Sequence, residues 1–361
     1  MDGREIAHRR LRSQHLVGPR RPDPAAVVRH LGAVQAQEFP YALWGVAQRT
    51  TGVGAAGMRK VVDDGTVLRT HALRPTWHFV APEDLGWIQA LTGPRVHAFN
   101  AYYYRQHGID EASAERTNRL IIGALRGGNH LTRNELAAVL DAGGFPAAGG
   151  RLAYVVMWAE LEGLIANGPM RGKQHTYALV EERVSAPREL SGDAALAELT
   201  WRYFATHGPA TIKDFVWWSS LTVAQVKRGL ELVGSALESA DVEGVAVWFD
   251  PAAPGAGEVA PTALLLQGYD EYVVAYSTTK FAFNLAGAGA KPGQYNANTM
   301  LHPIMIDSQL AGFWRRTTEG GGFRLELDLI KPLTSGQRRA LDVELARHEE
   351  FVEAPLTAVY V

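Results

Sequence analysis

Two threonines about 79 residues apart, Thr132 and Thr211, each stand at the head of a short helix that follows a longer one. Around Thr132 the pattern is complete. Residues 114–126 (AERTNRLIIGALR) place Leu120, Ile121, Ala124 and Leu125 on one helical face, and Gly127-Gly128-Asn129 breaks the run. Thr132 with Glu135 three residues later forms a capping box for a short helix over 134–140. After a Gly/Pro/Ala-rich turn at 141–150, the spacing predicts a helix over 151–164, closed by Ile165-Ala166-Asn167-Gly168. Residues 170–180 then alternate as a short hairpin. Helix, short helix, helix and hairpin is the order of a winged helix-turn-helix. The helix 151–164 offers mainly Arg151 for base reading, and Glu160 and Glu162 carry the wrong sign for it.

The second copy has a helix over 196–205, a stop at His207-Gly208-Pro209, and helices over 213–218 and 223–232 capped by Thr211 and Thr222. A strand follows at 245–249, and Trp217 and Trp218 read as core. The N-terminal part reads as a third version. Asp23 caps an amphipathic helix over 24–35, with Pro24 at its start. A helix over 58–64 ends at Gly65, and 67–73 and 76–80 alternate around Arg74-Pro75 like a wing. Residues 251–260 read as a linker or surface loop. Strands are expected at 263–266, 272–276, 303–307 and 324–330, and a closing helix over 335–350. The expected fold class is α+β and helix-rich, with tandem winged helix-turn-helix modules and a small β-rich C-terminal region. The expected units are 1–110, 111–185, 190–250 and 261–361.

A formal net charge of −2 argues at first against a nucleic-acid partner. The average hides an asymmetry. Residues 1–110 carry 14 Lys and Arg against 9 acids, a balance of +5, and the remainder carries −7. Seven arginines (Arg4, Arg9, Arg10, Arg12, Arg20, Arg21, Arg29) lie in the first thirty residues, a composition that also suits a plain solvated basic end. Cysteine is absent, so disulfides and thiolate chemistry are excluded. No run of about 18 apolar residues is present, and the start lacks an apolar signal core, so a cytoplasmic, nucleoid-associated location is expected.

Phosphate-loop, nucleophile-elbow, zincin and dinucleotide-binding motifs are missing. The histidines lack metal-ligand spacing, and no metal or cofactor is expected. The segment VQAQEFPYALWG stands out: Gln35 and Gln37 lie at an expected helix end, leading into an aromatic, proline-containing turn. One residue apart, they occupy different helical faces and converge only if the helix unwinds. By themselves they read as two capping or solvated amides. Glu38 is the nearest carboxylate and a candidate base, but helix geometry turns it away.

Five pieces together resemble the AlkZ/YcaQ-type DNA glycosylases, a family built from tandem winged helices: 10–16 (RLRSQHL), 31–44 (LGAVQAQEFPYALW), 69–80 (RTHALRPTWHFV), 268–276 (GYDEYVVAY) and 310–315 (LAGFWR). They come in the family's order across nearly the whole chain. The family's Gln-x-Gln or Gln-x-Asp signature falls on Gln35 and Gln37, and the Gln-x-Gln form resembles the AlkZ branch. The motif gives Glu38 no role. The resemblance implies excision of bulky alkylated purines, and in some members unhooking of interstrand crosslinks. At 277–279 the chain has Ser-Thr-Thr, leading into a Gly/Ala-rich loop at 286–293, where the family often carries an acidic/basic pair. That departure bears on substrate range.

The chemistry agrees with the motif. Cleaving an N-glycosidic bond passes through an oxocarbenium-like sugar, to which water adds. An N7- or N3-alkylated purine already carries positive charge and leaves readily. A neutral amide can then suffice, because its carbonyl oxygen accepts from water and presents a negative dipole end to the sugar. It takes no proton away at neutral pH. Gln37 and Gln35 are therefore the expected catalytic residues. Arg10, Arg12, Arg69, His71, Arg74 and His78 are candidates for gripping DNA phosphates. Trp77 is a core residue under the hairpin or a stacking wedge. Bulky lesions do not fit a snug flipped-base pocket, so an open cleft with an exposed Gln-x-Gln is expected, acting as a monomer on double-stranded DNA that carries alkylated purines. The rival reading is a non-catalytic winged-helix transcription regulator, but no dimerisation helix for symmetric half-sites is visible.

Overall fold

The computed structural model describes residues 1–255, 257, 261–288 and 301–361. Helices α1 (Gly3–Ser13) and α2 (Pro24–Leu31) open the chain, capped by Asp2 and Asp23. The helix expected over 24–35 stops at Leu31. Gly32 adopts φ 82°, a left-handed value open to glycine at little cost, and the chain turns into strand β1 (Ala33–Gln35). Gln35 thus sits on a strand rather than a helix end. The expected turn after Glu38 is helix α3 (Phe39–Ala47), with Pro40 in its first turn. Helix α4 (Ala55–Asp63) and the hairpin of β2 (Leu68–His71) and β3 (Trp77–Val80) follow as expected. The sheet order is β1-β3-β2, and Gln35 pairs with His78.

Helix α5 (Pro82–Gln106) was not legible in advance. Its 25 residues include Gly93 and Pro94, which read as breakers. A Cβ at Gly93 would stand 3.0 Å from the Leu161 carbonyl oxygen, so this glycine lets another segment approach closely. Next come α6 (Glu111–Leu125), β4 (Leu131–Thr132), α7 (Arg133–Ala142), α8 (Gly149–Leu161), β5 (Ile165–Arg171) and β6 (Gln174–Leu179). The Thr132–Glu135 capping box is present. The strands order as β4-β6-β5, and Ile165-Ala166-Asn167-Gly168, expected to end a helix, begin a strand. A short α9 (Val180–Arg183) leads to α10 (Gly192–His207), α11 (Ile212–Ser219) and α12 (Val223–Val233). Thr211 and Thr222 cap the last two, each within a capping box. The hairpin β7 (Glu238–Val242) and β8 (Val245–Phe249) ends this stretch.

The C-terminal region holds β9 (Ala263–Leu265), α13 (Glu271–Val274), β10 (His302–Ile306), β11 (Gln309–Glu319), β12 (Gly322–Leu329), α14 (Ser335–Val352) and β13 (Leu356–Tyr360). The sheet order is β13-β12-β11-β10-β9. The strand expected at 272–276 is instead α13 and the turn after it. The Asp270 carboxylate accepts from the Tyr272 N–H and caps this helix, which overrides the β propensity of the Tyr-Val-Val run. Of the expected linker and Gly/Ala loop, residues 256, 258–260 and 289–300 lie outside the described residues.

The β1–β3 sheet is held from two sides. Val27, Trp44 and Phe79 share a core with Leu265, Ile304, Trp314, Leu341 and Phe351 of the C-terminal region. Leu68, Val80 and Leu85 share another with Leu199, Tyr203, Phe215 and Trp218. Close packing on both sides fixes the Gln35 strand. Among the described residues, no helix is long and apolar enough to cross a membrane.

Candidate active site

Gln35 ends β1, and all its polar backbone and carbonyl groups are engaged. Its N–H donates to Glu271 Oε1 at 2.7 Å, and its C=O accepts from Gln267 Nε2 at 3.3 Å. Its side-chain Oε1 accepts from Arg74 Nη2 at 2.6 Å. Gln37 lies two residues on, exposed, with Oε1 accepting from the Trp77 N–H at 3.2 Å. An amide oxygen carries two lone pairs. Each glutamine oxygen is therefore oriented by one protein donor and keeps a second acceptor position for water.

Behind Gln35 sits a buried carboxylate. Glu271 is 0% exposed and also accepts from Trp218 Nε1 at 2.8 Å, with His207 Nε2 at 3.3 Å. Burial pushes its carboxyl up. The His207 contact, with the charge of Arg74, outweighs this and leaves it at about 2. Glu271 thus remains anionic and faces the Arg74 guanidinium, whose pKa burial lowers, a shift that the charge of Glu271 only partly offsets. Asp270 beside it is held by Arg49 in a bidentate pair, both contacts 2.8 Å and both side chains buried.

The hairpin residues divide by role. Arg69 donates from Nε to the Ala36 carbonyl at 3.0 Å, and its guanidinium lies 4.2 Å from the Trp77 ring centroid. Burial lowers its pKa to about 10, so it stays charged. His71 contacts Glu160 at 2.6 Å through Nδ1 and lies 4.0 Å from the Trp77 ring. Glu160, read from sequence as facing DNA unfavourably, is buried in this pair. His78 is fully buried and held neutral, chiefly by burial, at about 3, with Nδ1 on the Thr76 carbonyl. It therefore faces inward, away from any phosphate. Trp77 is half-buried between Arg69 and His71, both a packed residue and a rim residue.

Arg10 and Arg12 do not join this group. Arg10 is 1% exposed and donates to the Pro209 carbonyl and to Thr279, so its guanidinium is committed inside the fold. Arg12 lines a different cavity, with His15, Arg21, Arg29 and Trp201. Arg69 and Trp77 line a third cavity with Arg133, His175 and Tyr177.

A cleft of about 710 Å³ opens beside Gln35 and Arg74. The 74–76 turn, α5 and α11 frame it, with Phe99, Trp217 and Tyr269 among its walls. Trp218 is core as expected, but Trp217 is 53% exposed and Phe99 67%. Glu271, Phe99 and Trp217 were missed from sequence. Glu271 stands just before the 272–276 run that reads as a strand, and Trp217 reads as core with its neighbour Trp218. Among the described residues, no three His, Asp or Glu side chains are grouped as metal ligands.

A family model described as DNA glycosylase AlkZ-like matches residues 28–351. The chain belongs to the AlkZ-like DNA glycosylases. These enzymes are hydrolases acting on N-glycosyl bonds. The chain is also similar to the interstrand DNA cross-link repair glycosylase of Streptomyces sahachiroi, 26% identical over 329 residues, covering 86% of this chain and 87% of that protein. The solved structure of the Streptomyces sahachiroi DNA glycosylase AlkZ has the same fold. The TM-score is 0.80 at 21% identity, with all of both chains covered. In this AlkZ-like chain Gln35 is buried against the cleft it lines, and Gln37 is exposed two residues on.

Proposed function

We propose that this AlkZ-like glycosylase hydrolyses the N-glycosidic bond of bulky cationic N7- or N3-alkylated purines in double-stranded DNA and leaves an abasic site. The observation that carries the reading is the paired fixing of two amide oxygens. Arg74 orients Gln35, and the Trp77 N–H orients Gln37, each leaving an acceptor position for water. Gln37, the exposed member, positions the attacking water. Gln35 turns its dipole toward the sugar as positive charge builds at C1′. The cationic purine takes the bond's electron pair and leaves neutral.

The cleft favours large adducts. Its aromatic walls can stack a planar substituent, which a tight flipped-base pocket would exclude. The cross-link repair name of the Streptomyces relative makes interstrand crosslinks at purine N7 a second substrate class. The enzyme acts as a monomer, and the half-buried Arg74 and Trp77 face the DNA. Arg69 and His71, each 6% exposed and bonded to Ala36 and Glu160, support the hairpin from inside rather than gripping phosphates. In a test, duplex DNA carrying N7-methylguanine, or a bulky aryl N7 adduct, is incubated with the protein and cleaved at abasic sites with alkali. Strand breaks at the adduct are expected. Binding without breaks on either substrate would favour the non-catalytic alternative.

A further inference from the structure

Glu38 follows Gln37 directly and stands at the N-cap position of α3 without capping it. Among the described residues its Oε2 is buried without a hydrogen-bond partner, while the side chain as a whole is 34% exposed. A half-buried carboxylate at a helix start normally accepts from the first-turn N–H groups. This one faces His302 instead, with Oε2 3.6 Å from Nε2.

His302 is fixed for that contact. Its Nδ1 accepts from the Gly268 N–H at 2.9 Å, so in the neutral ring the proton sits on Nε2, facing Glu38. The ring stacks on Tyr41 at 4.1 Å and meets Trp314 at 5.1 Å. Burial, then the charge of Arg316, holds this histidine neutral, at about 4. Carboxylate and oriented histidine make a base-and-orienter pair, longer here than a hydrogen bond, as such pairs often are without substrate.

The pair lies beside the glutamine motif, since Glu38 directly follows Gln37 in the chain. Tyr269 lines the same cleft as Gln35 and Arg74, and the charge of Glu38, after burial, pushes the Tyr269 hydroxyl up. Burial raises the Glu38 carboxyl and strengthens it as a proton acceptor. The groups around it are Tyr41 on its own helix, His302 on β10, Tyr269 after β9, and Arg316 on β11 beyond Tyr41.

We propose that Glu38 is the general base of the reaction, accepting the proton of the water that the two glutamines position. The inference rests on the glutamine reading of the site. The water oxygen bonds to C1′, the C1′–N9 bond breaks with its electron pair going to the purine, and the water proton passes to Glu38. Glutamines alone leave that proton without an acceptor, because an amide does not titrate near neutral pH. His302 acts as a positioning residue through Nε2–H.

The test compares wild type, Glu38→Gln and the double variant Gln35→Ala/Gln37→Ala in single-turnover excision of N7-methylguanine from duplex DNA, across pH 5 to 9. Binding of the same duplex is measured alongside. Glu38→Gln is expected to slow excision roughly 10²–10⁴-fold with DNA affinity unchanged. The wild-type rate is expected to fall on the acid side, and Glu38→Gln to lose that limb. If Glu38→Gln keeps the wild-type rate and pH profile while the glutamine variant is inactive, the role of Glu38 is overturned and the glutamine reading stands. If wild type and all variants excise nothing, both are overturned.

Discussion

Arg74, in the turn of the β2–β3 hairpin, donates to Gln35 on β1, Nη2 to Oε1 at 2.6 Å, and Glu271 sits behind both as a buried counter-charge. The guanidinium fixes which end of the Gln35 amide faces the cleft. A hydrogen bond to a charged group contributes about 1.5–3 kcal/mol. Arg74→Ala should therefore slow single-turnover excision roughly 10- to 100-fold. An unchanged rate would mean that Gln35 needs no orientation from Arg74.

The cleft walls predict a substrate-dependent loss. Phe99 and Trp217 are exposed and aromatic, and stacking contributes about 1–3 kcal/mol per ring. Phe99→Ala and Trp217→Ala should weaken excision of a bulky aryl N7 adduct more than that of N7-methylguanine, by roughly 5-fold or more in the kcat/KM ratio. Equal losses on both substrates would contradict stacking of the substituent.

Asp270 predicts a structural effect. It pairs with Arg49 in the interior and caps α13, the helix that carries Glu271. Removing one partner of a buried ion pair costs about 3–5 kcal/mol. Asp270→Ala should lower the urea midpoint accordingly, and a change under about 1 kcal/mol would contradict the role.

Several histidines make the fold acid-sensitive. Burial depresses His30, His78 and His348 from 6.5 to about 3. The unfolded chain takes up protons at these sites below pH 6.5 while the folded chain does not, so stability is full above 6.5 and falls as pH drops toward 3. Each depressed histidine contributes about 1.4 kcal/mol per pH unit in that window. The melting temperature should fall by roughly 5 °C or more between pH 7 and pH 4. A flat profile would mean that these rings titrate normally.

Much of the fold was legible because local signals agreed with the packing. Thr132, Thr211 and Thr222 cap where their sequences say, and Arg74-Pro75 turns the hairpin. The misses share a cause. Helix α5 has no single apolar stripe, since its faces meet different neighbours, and Gly93 and Pro94 look like breakers. The segment after Asp270 reads as a strand until Asp270 caps it. At the site, Gln35 and Gln37 were legible only as a motif. Their geometry depends on Gly32 ending α2 early, and their partners Arg74, Trp77 and Glu271 come from 39, 40 and 236 residues away. Arg10 shows the limit of charge counting: a basic N-terminus need not face solvent.

The central claim is that Gln35 and Gln37 together position water for excision. The most direct measurement is alkali-revealed strand cleavage of an N7-methylguanine duplex under single-turnover conditions, comparing wild type with Gln35→Ala/Gln37→Ala. The account predicts breaks with wild type and a loss of at least about 10²-fold in the double variant, with the duplex still bound. Undiminished cleavage by the double variant would contradict it.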